Sequence, residues 1–263
     1  VTPTLNSPPG ESPGVAVARI DDLLIGAIKA AGPKPPDDAP QGQKNPWGNK
    51  ISASLALAIA QELRARGMDG ARPGEPGEIG LSGAERRLAG GLGAKKVDVT
   101  WATEESGLML ACSVKTIMFR DSVGGHFQKN LTNRRGDLLF ESTTLHRRFP
   151  FAVVAGFFFF DIGAASDHTP RRNSTFENVF PRFRLFTGRA DPADRDEQFE
   201  RLYVLLVDSN PFAPSVICHE VDSPEAPVAL GVVFDDLIEL TAERNFDMYE
   251  TTGDGNIRKA RSK

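Results

Sequence analysis

The chain has 263 residues, 40% of them hydrophobic and 25% charged, with a formal charge of −4. This length carries one sizeable domain with additions, or two small ones, and the composition is that of an ordinary globular protein. The acidic balance excludes a uniformly basic nucleic-acid coat, yet it allows a local basic cleft, because the field that a ligand meets is local.

Residues 1–13, 32–48 and 67–80 are dense in Pro and Gly and read as loop or disorder, since they offer too little apolar area to offset ordering entropy. Between them, residues 15–31 place Val17, Ile20, Leu23, Leu24 and Ile28 at helical spacing, and residues 51–66 do the same with Leu55, Leu57, Ile59 and Leu63. Residues 1–80 therefore read as an N-terminal helical extension. Ser82-Gly83-Ala84-Glu85 fits a capping box that opens a short helix to Leu92. Residues 95–102 alternate, with Val97, Val99 and Trp101 on one face and Asp98 and Thr100 on the other, which is a strand. A turn at 104–107 leads to a second strand at 108–115, which residues 117–119 extend or follow. A long helix is expected over 127–148, with Phe127, Leu131, Leu138 and Leu145 in register. The run 151–161 is almost wholly apolar, as in a strand buried on both faces. A helix at 175–187, strands at 202–207 and 216–221 and a helix at 234–244 complete an α/β domain over 81–250. Residues 251–263 read as a flexible polar tail.

Cys112 and Cys218 belong to no CxxC or His/Cys cluster. They read as reduced, buried thiols of a cytoplasmic protein rather than as a disulfide or a zinc site. No apolar run is long enough to span a membrane, and residues 1–14 lack the basic and apolar regions of a signal peptide.

The chemistry is expected at Asp98 and Lys115. If a loop with an even number of residues joins the two strands as a hairpin, paired positions sum to an odd number, and Asp98 shares a face with Ser113 and Lys115. A carboxylate there can hold Mg²⁺. A lysine can position or deprotonate a water, or stabilise charge on a phosphate. The same pair also fits an ordinary cross-strand ion pair.

An acidic residue at one strand end, then (D/E)-x-K on the next strand, in a helix–strand–strand–strand–helix–strand order, resembles the PD-(D/E)XK nuclease superfamily. The matching stretches are Val97-Asp98-Val99 and Cys112-Ser113-Val114-Lys115, within residues 82–161. The resemblance implies an αβββαβ core like that of type II restriction endonucleases, with a mixed central sheet flanked by helices. It also implies metal ligation by Asp98 and catalysis by Lys115. Two positions depart from the pattern: Val97 stands for Pro, and Ser113 stands where the family has Asp or Glu. A serine hydroxyl is a weak ligand, so one metal-binding carboxylate is missing from its usual place and would have to come from elsewhere for the domain to cut. Glu85 is the first candidate, and its competing role is the capping box; Glu104, Glu105 and Glu141 follow.

Residues 115–148 are locally basic. Gln128, Lys129, Asn130, Arg134 and Arg135 offer amide and guanidinium groups suited to phosphates and base edges. Arg171, Arg172, Arg182, Arg184 and Arg189 add a second basic stretch that could flank a DNA-binding cleft. His126, His146, His168 and His219 show no metal spacing. The resulting expectation is a Mg²⁺-dependent DNA endonuclease of restriction or defence type, with Mn²⁺ as an alternative ion. Asp98 and Glu85 would hold the metal. Ser113 would assist them, and Lys115 would orient the hydrolytic water and stabilise the phosphorane-like transition state. Gln128, Asn130, Arg134, Arg135, Arg171 and Arg172 would touch substrate. By analogy with restriction enzymes on palindromic sites, the protein would be a homodimer. The rival expectation is an inactive DNA-binding or partner-binding module on the same fold.

Overall fold

In the computed structural model, residues 14–74, 86–122 and 124–260 are described. The chain opens with helices α1 (Gly14–Ala31) and α2 (Gln41–Ala65). Helix α2 begins well before the expected residue 51, inside the segment 32–48 that reads as loop. Tertiary anchors override the poor local propensity of this Pro- and Gly-containing turn. The Trp47 indole donates to Gly32 O at 2.9 Å and the Lys44 ammonium donates to Asp37 O at 2.9 Å, while Ile51 is fully buried.

Strands β1 (Arg86–Gly90) and β2 (Gly93–Val97) form an antiparallel hairpin that replaces most of the helix expected over 82–92. The sequence Gly90-Gly91-Leu92-Gly93 disfavours a helix and suits a two-residue hairpin turn. The capping-box residues 82–85, Glu85 included, lie outside the described residues.

There follow β3 (Val99–Thr103), β4 (Gly107–Ile117), a 3-10 turn at Gln128–Asn130 leading into α3 (Leu131–His146), and β5 (Val153–Asp161). The chain continues with α4 (Thr175–Phe183), β6 (Arg201–Asp208), β7 (Ser215–Glu220) and α5 (Leu230–Arg244). Strands β3 to β7 form one five-stranded sheet in chain order. The inner pairs β4/β5 and β5/β6 are parallel, and the outer pairs are antiparallel. The protein is thus α/β, with a mixed sheet flanked by helices.

Helices α3 and α4 carry the two parallel crossovers and contribute to the apolar cluster on one sheet face; α1, α2 and α5 contribute to the cluster on the other. β5 supplies both clusters, Phe157 and Phe159 to one, Phe158 and Phe160 to the other, as its unbroken apolar run predicts. Each such ring buried stabilises the fold by about 1.5–3 kcal/mol. Among the described residues, no helix is long and apolar enough to cross a membrane.

Two further local readings are corrected. Val97 does not share a face with Val99 and Trp101: the chain breaks at Asp98, and Val97 joins the opposite cluster. Residues 251–263 are not wholly a free tail. β8 (Tyr249–Thr251) pairs with β9 (Ile257–Lys259), the Ile257 amide donates to Arg66 O at 2.9 Å, and Tyr249 packs edge-on against Trp101.

Candidate active site

The register of β3 on β4 decides which groups meet. Glu104–Ser106 make a three-residue turn, with Gly107 at φ +71° where only glycine is unstrained. An odd turn alone would put Asp98 and Lys115 on opposite faces. A bulge corrects this: Trp101 pairs with Leu110 but Ala102 pairs with Leu108, so Met109 is the extra residue. Beyond the bulge the paired positions sum to an odd number, as in Val99↔Cys112. Asp98 therefore reaches the same face as Lys115.

The contacts follow from that register. The Asp98 carboxylate accepts the Val114 amide at 2.7 Å and the Lys115 ammonium at 3.2 Å. The same ammonium donates to Glu141 on α3 at 3.1 Å. Glu141 is buried, Lys115 nearly so, and Asp98 keeps about 30% of its side chain exposed. Burial alone would lower the Lys115 pKa. The charges of Glu141 and then Asp98, with their hydrogen bonds, outweigh burial and hold it above the ordinary lysine value. At neutral pH Lys115 is therefore a hydrogen-bond donor and a fixed positive charge, not a base. Ser113 points to the same face of β4 as Lys115. Its hydroxyl is buried and has no hydrogen-bond partner among the described residues.

β4 runs past the end of β3, so Lys115, Thr116 and Ile117 are paired only on their β5 side. Their other edge opens into a cleft of about 580 Å³, which also holds Asp98. One wall is the first half of α2: Gln41, Lys44, Asn45, Gly48, Asn49 and Ser52. The facing wall includes Arg120, Asp121, His126, Lys129 and Arg134. Positive side chains outnumber negative ones, with Lys44, Lys115, Arg120, Lys129 and Arg134 against Asp98 and Asp121, the reverse of the chain as a whole.

A buried carboxylate fixes the second wall. Asp167 accepts the amides of Phe127 (3.0 Å) and Thr175 (2.6 Å) and the Thr175 hydroxyl (2.6 Å). Burial pushes its pKa up, but these hydrogen bonds and the Arg172 charge bring it below the usual carboxylate value. The loop before α3 is thereby tied to the start of α4.

Of the residues expected at the site, Asp98, Lys115 and Arg134 line the cleft, and Ser113 lies beside it in the strand. Gln128 instead faces Arg172 at 3.3 Å in one amide orientation and Arg182 at 2.9 Å in the other. Arg172 is bound to the Asp167 carbonyl, Arg135 lies over the Phe186 ring, and Arg171 is exposed on a turn. The Asn130 side chain and all of Glu85 lie outside the described residues. Arg189 does not flank a cleft: it is buried against Glu200 at 2.8 Å.

Glu141 and the α2 wall are the parts that sequence reasoning underrated. Glu141 stands three residues after Leu138 and four before Leu145, both core residues of α3. An acid on a core-facing stripe is the signal that could have ranked it first. Comparison with family models, with curated proteins and with solved structures gives no match for this chain.

Proposed function

We propose that the chain is a Mg²⁺-dependent endonuclease that hydrolyses phosphodiester bonds of DNA, on a core of the restriction-endonuclease type. The observation that carries this reading is one ammonium, Lys115, shared by two carboxylates: Asp98, which lines a basic cleft together with Lys115, and Glu141, buried behind them on α3.

Asp98 and Glu141 offer carboxylate oxygens to the same Lys115 ammonium, and hard oxygen donors of this kind suit a divalent cation. The unpartnered Ser113 hydroxyl beside them is a further weak oxygen donor. Among the described residues, no group of three or more His, Cys, Asp or Glu side chains is arranged to hold a metal. The protein would therefore supply two carboxylates and leave other positions to water and phosphate oxygens, which is the habit of Mg²⁺. When bound there, the ion supplies Lewis-acid stabilisation and lowers the pKa of a water. Asp98 and Glu141 would hold it. Lys115, kept charged, would donate to a non-bridging phosphate oxygen and stabilise charge that grows in the transition state. Arg120, Lys129 and Arg134 would attract and seat the backbone.

The test is supercoiled plasmid incubated with Mg²⁺ or Mn²⁺. Nicking or linearisation is expected from the wild type and not from Asp98→Ala or Lys115→Ala. A well-folded wild type that cuts nothing with either ion would remove the proposal. One observation favours a second reading, that of an inactive DNA-binding module: Ser113 stands where a strand carboxylate would complete the ligand set. Salt-sensitive binding to DNA without cleavage is the outcome specific to it.

A further inference from the structure

The first half of α2 carries five poor helix formers, Gly42, Asn45, Pro46, Gly48 and Asn49, yet it is held helical by buried Lys44 and Trp47. Beside those anchors runs a second stripe, Gln41, Asn45, Gly48, Asn49 and Ser52, all facing the cleft that contains Asp98 and Lys115. The side chains of Gln41, Asn45, Asn49 and Ser52 make no hydrogen bond among the described residues. Gly48 has no internal reason to be glycine: a Cβ placed there would meet nothing within 4 Å. Glycine weakens a helix relative to alanine. Its use here suits a close approach of something that is not part of the chain.

We propose that this stripe of α2 is the sequence-reading element of the protein: its amides contact base edges of duplex DNA, and Gly48 makes room for the groove. The inference rests on the nuclease reading and adds what selects the site. Asparagine and glutamine pair in two-point fashion with the exposed edge of adenine, so the preferred sites contain A·T pairs. From residue 41 to residue 52 the helix rises about 16 Å, the span of roughly five base steps at 3.4 Å each. Lys129 and Arg134, on the other wall, act on phosphates and carry no sequence information.

The experiment is selection from a randomised duplex pool by the full chain in metal-free buffer, followed by sequencing, with plasmid cleavage in Mg²⁺ measured separately. Wild type should enrich a motif rich in A·T pairs. Asn45→Ala and Asn49→Ala should flatten that enrichment by about tenfold or more per contacted position, while affinity for random duplex stays within about threefold. Both residues are exposed, so neither change should disturb folding. Gly48→Ala should raise the unfolding temperature by about 2–4 °C and yet weaken binding to the selected site. A motif that survives both asparagine substitutions, or binding with no preference, would overturn the inference. If the wild type cleaves plasmid while showing either result, only the reading element is wrong. If it neither cleaves nor binds, the nuclease reading fails with it.

Discussion

Helix α3 delivers two polar side chains, five residues apart, into two different environments. Glu141 is buried behind the cleft, where it shares the Lys115 ammonium with Asp98. His146 enters a sealed cluster around Glu200, which also receives Arg189 at 2.8 Å, Arg244 at 3.3 Å and the Val154 amide at 2.8 Å. In the sealed cluster both Glu200 oxygens meet positive or N–H groups, and His146 also bonds the Asp196 carbonyl at 2.9 Å. A buried carboxylate with both oxygens paired holds structure together. A pair of carboxylates on one ammonium, with Asp98 open to a cleft, can be reached from outside. A buried glutamate is common to both regions, so access is what separates structure from chemistry.

The largest expected effect is on the sealed side. Glu200→Ala leaves Arg189 buried without its counter-charge and His146 without its carboxylate partner, and should cost about 3–5 kcal/mol in urea unfolding. A loss below 1 kcal/mol would mean that the cluster is not a structural keystone. Its pH dependence has a definite sign. Burial raises the Glu200 pKa, but the bonds from His146, Val154 and Arg189 bring it below the ordinary value. The stabilisation is complete above the unfolded-state pKa of about 4.3 and is lost as pH falls through the lower folded value. Glu200→Gln should shrink that acid limb of the stability curve.

Lys115 behaves in the opposite way. Its raised pKa means that its contribution is fully present below about pH 10.4, the unfolded value, and is lost only as pH rises through the higher folded one. In metal-free buffer, urea unfolding between pH 7 and pH 9 should therefore show no alkaline loss of stability that Lys115→Met removes. On the cleft walls, Lys129→Ala and Arg134→Ala should each lower the slope of log affinity against log salt by about 0.9. Unchanged slopes would take those walls out of contact with DNA. The smallest effect belongs to the exposed Lys259–Glu105 pair at 3.3 Å, whose removal should change stability by about 0–1 kcal/mol.

The strands, most helices and the Asp98–Lys115 pairing are readable in the sequence because period-two and helical spacing are local properties. An even turn would put the two residues on one face directly; an odd turn plus the Met109 bulge gives the same face. A bulge leaves no reliable mark in a run such as Leu108-Met109-Leu110. The start of α2 is illegible for another reason: its helicity comes from Trp47 and Lys44 bonding to the preceding loop, not from its own residues. Arg172 and Arg189 look alike in sequence to arginines that bind DNA, and only the fold shows them bound to Asp167 and Glu200.

The central claim is that Asp98 and Glu141 together form a cation-dependent hydrolytic site. It is tested most directly by the initial rate of duplex cleavage across a Mg²⁺ titration, for wild type, Asp98→Asn and Glu141→Gln. The account predicts saturable Mg²⁺ dependence in the wild type. Each variant should lose at least about 100-fold in rate, as when one stabilising group is removed, with the fold retained by circular dichroism. Equal rates in all three proteins, or cleavage indifferent to the metal, would contradict it.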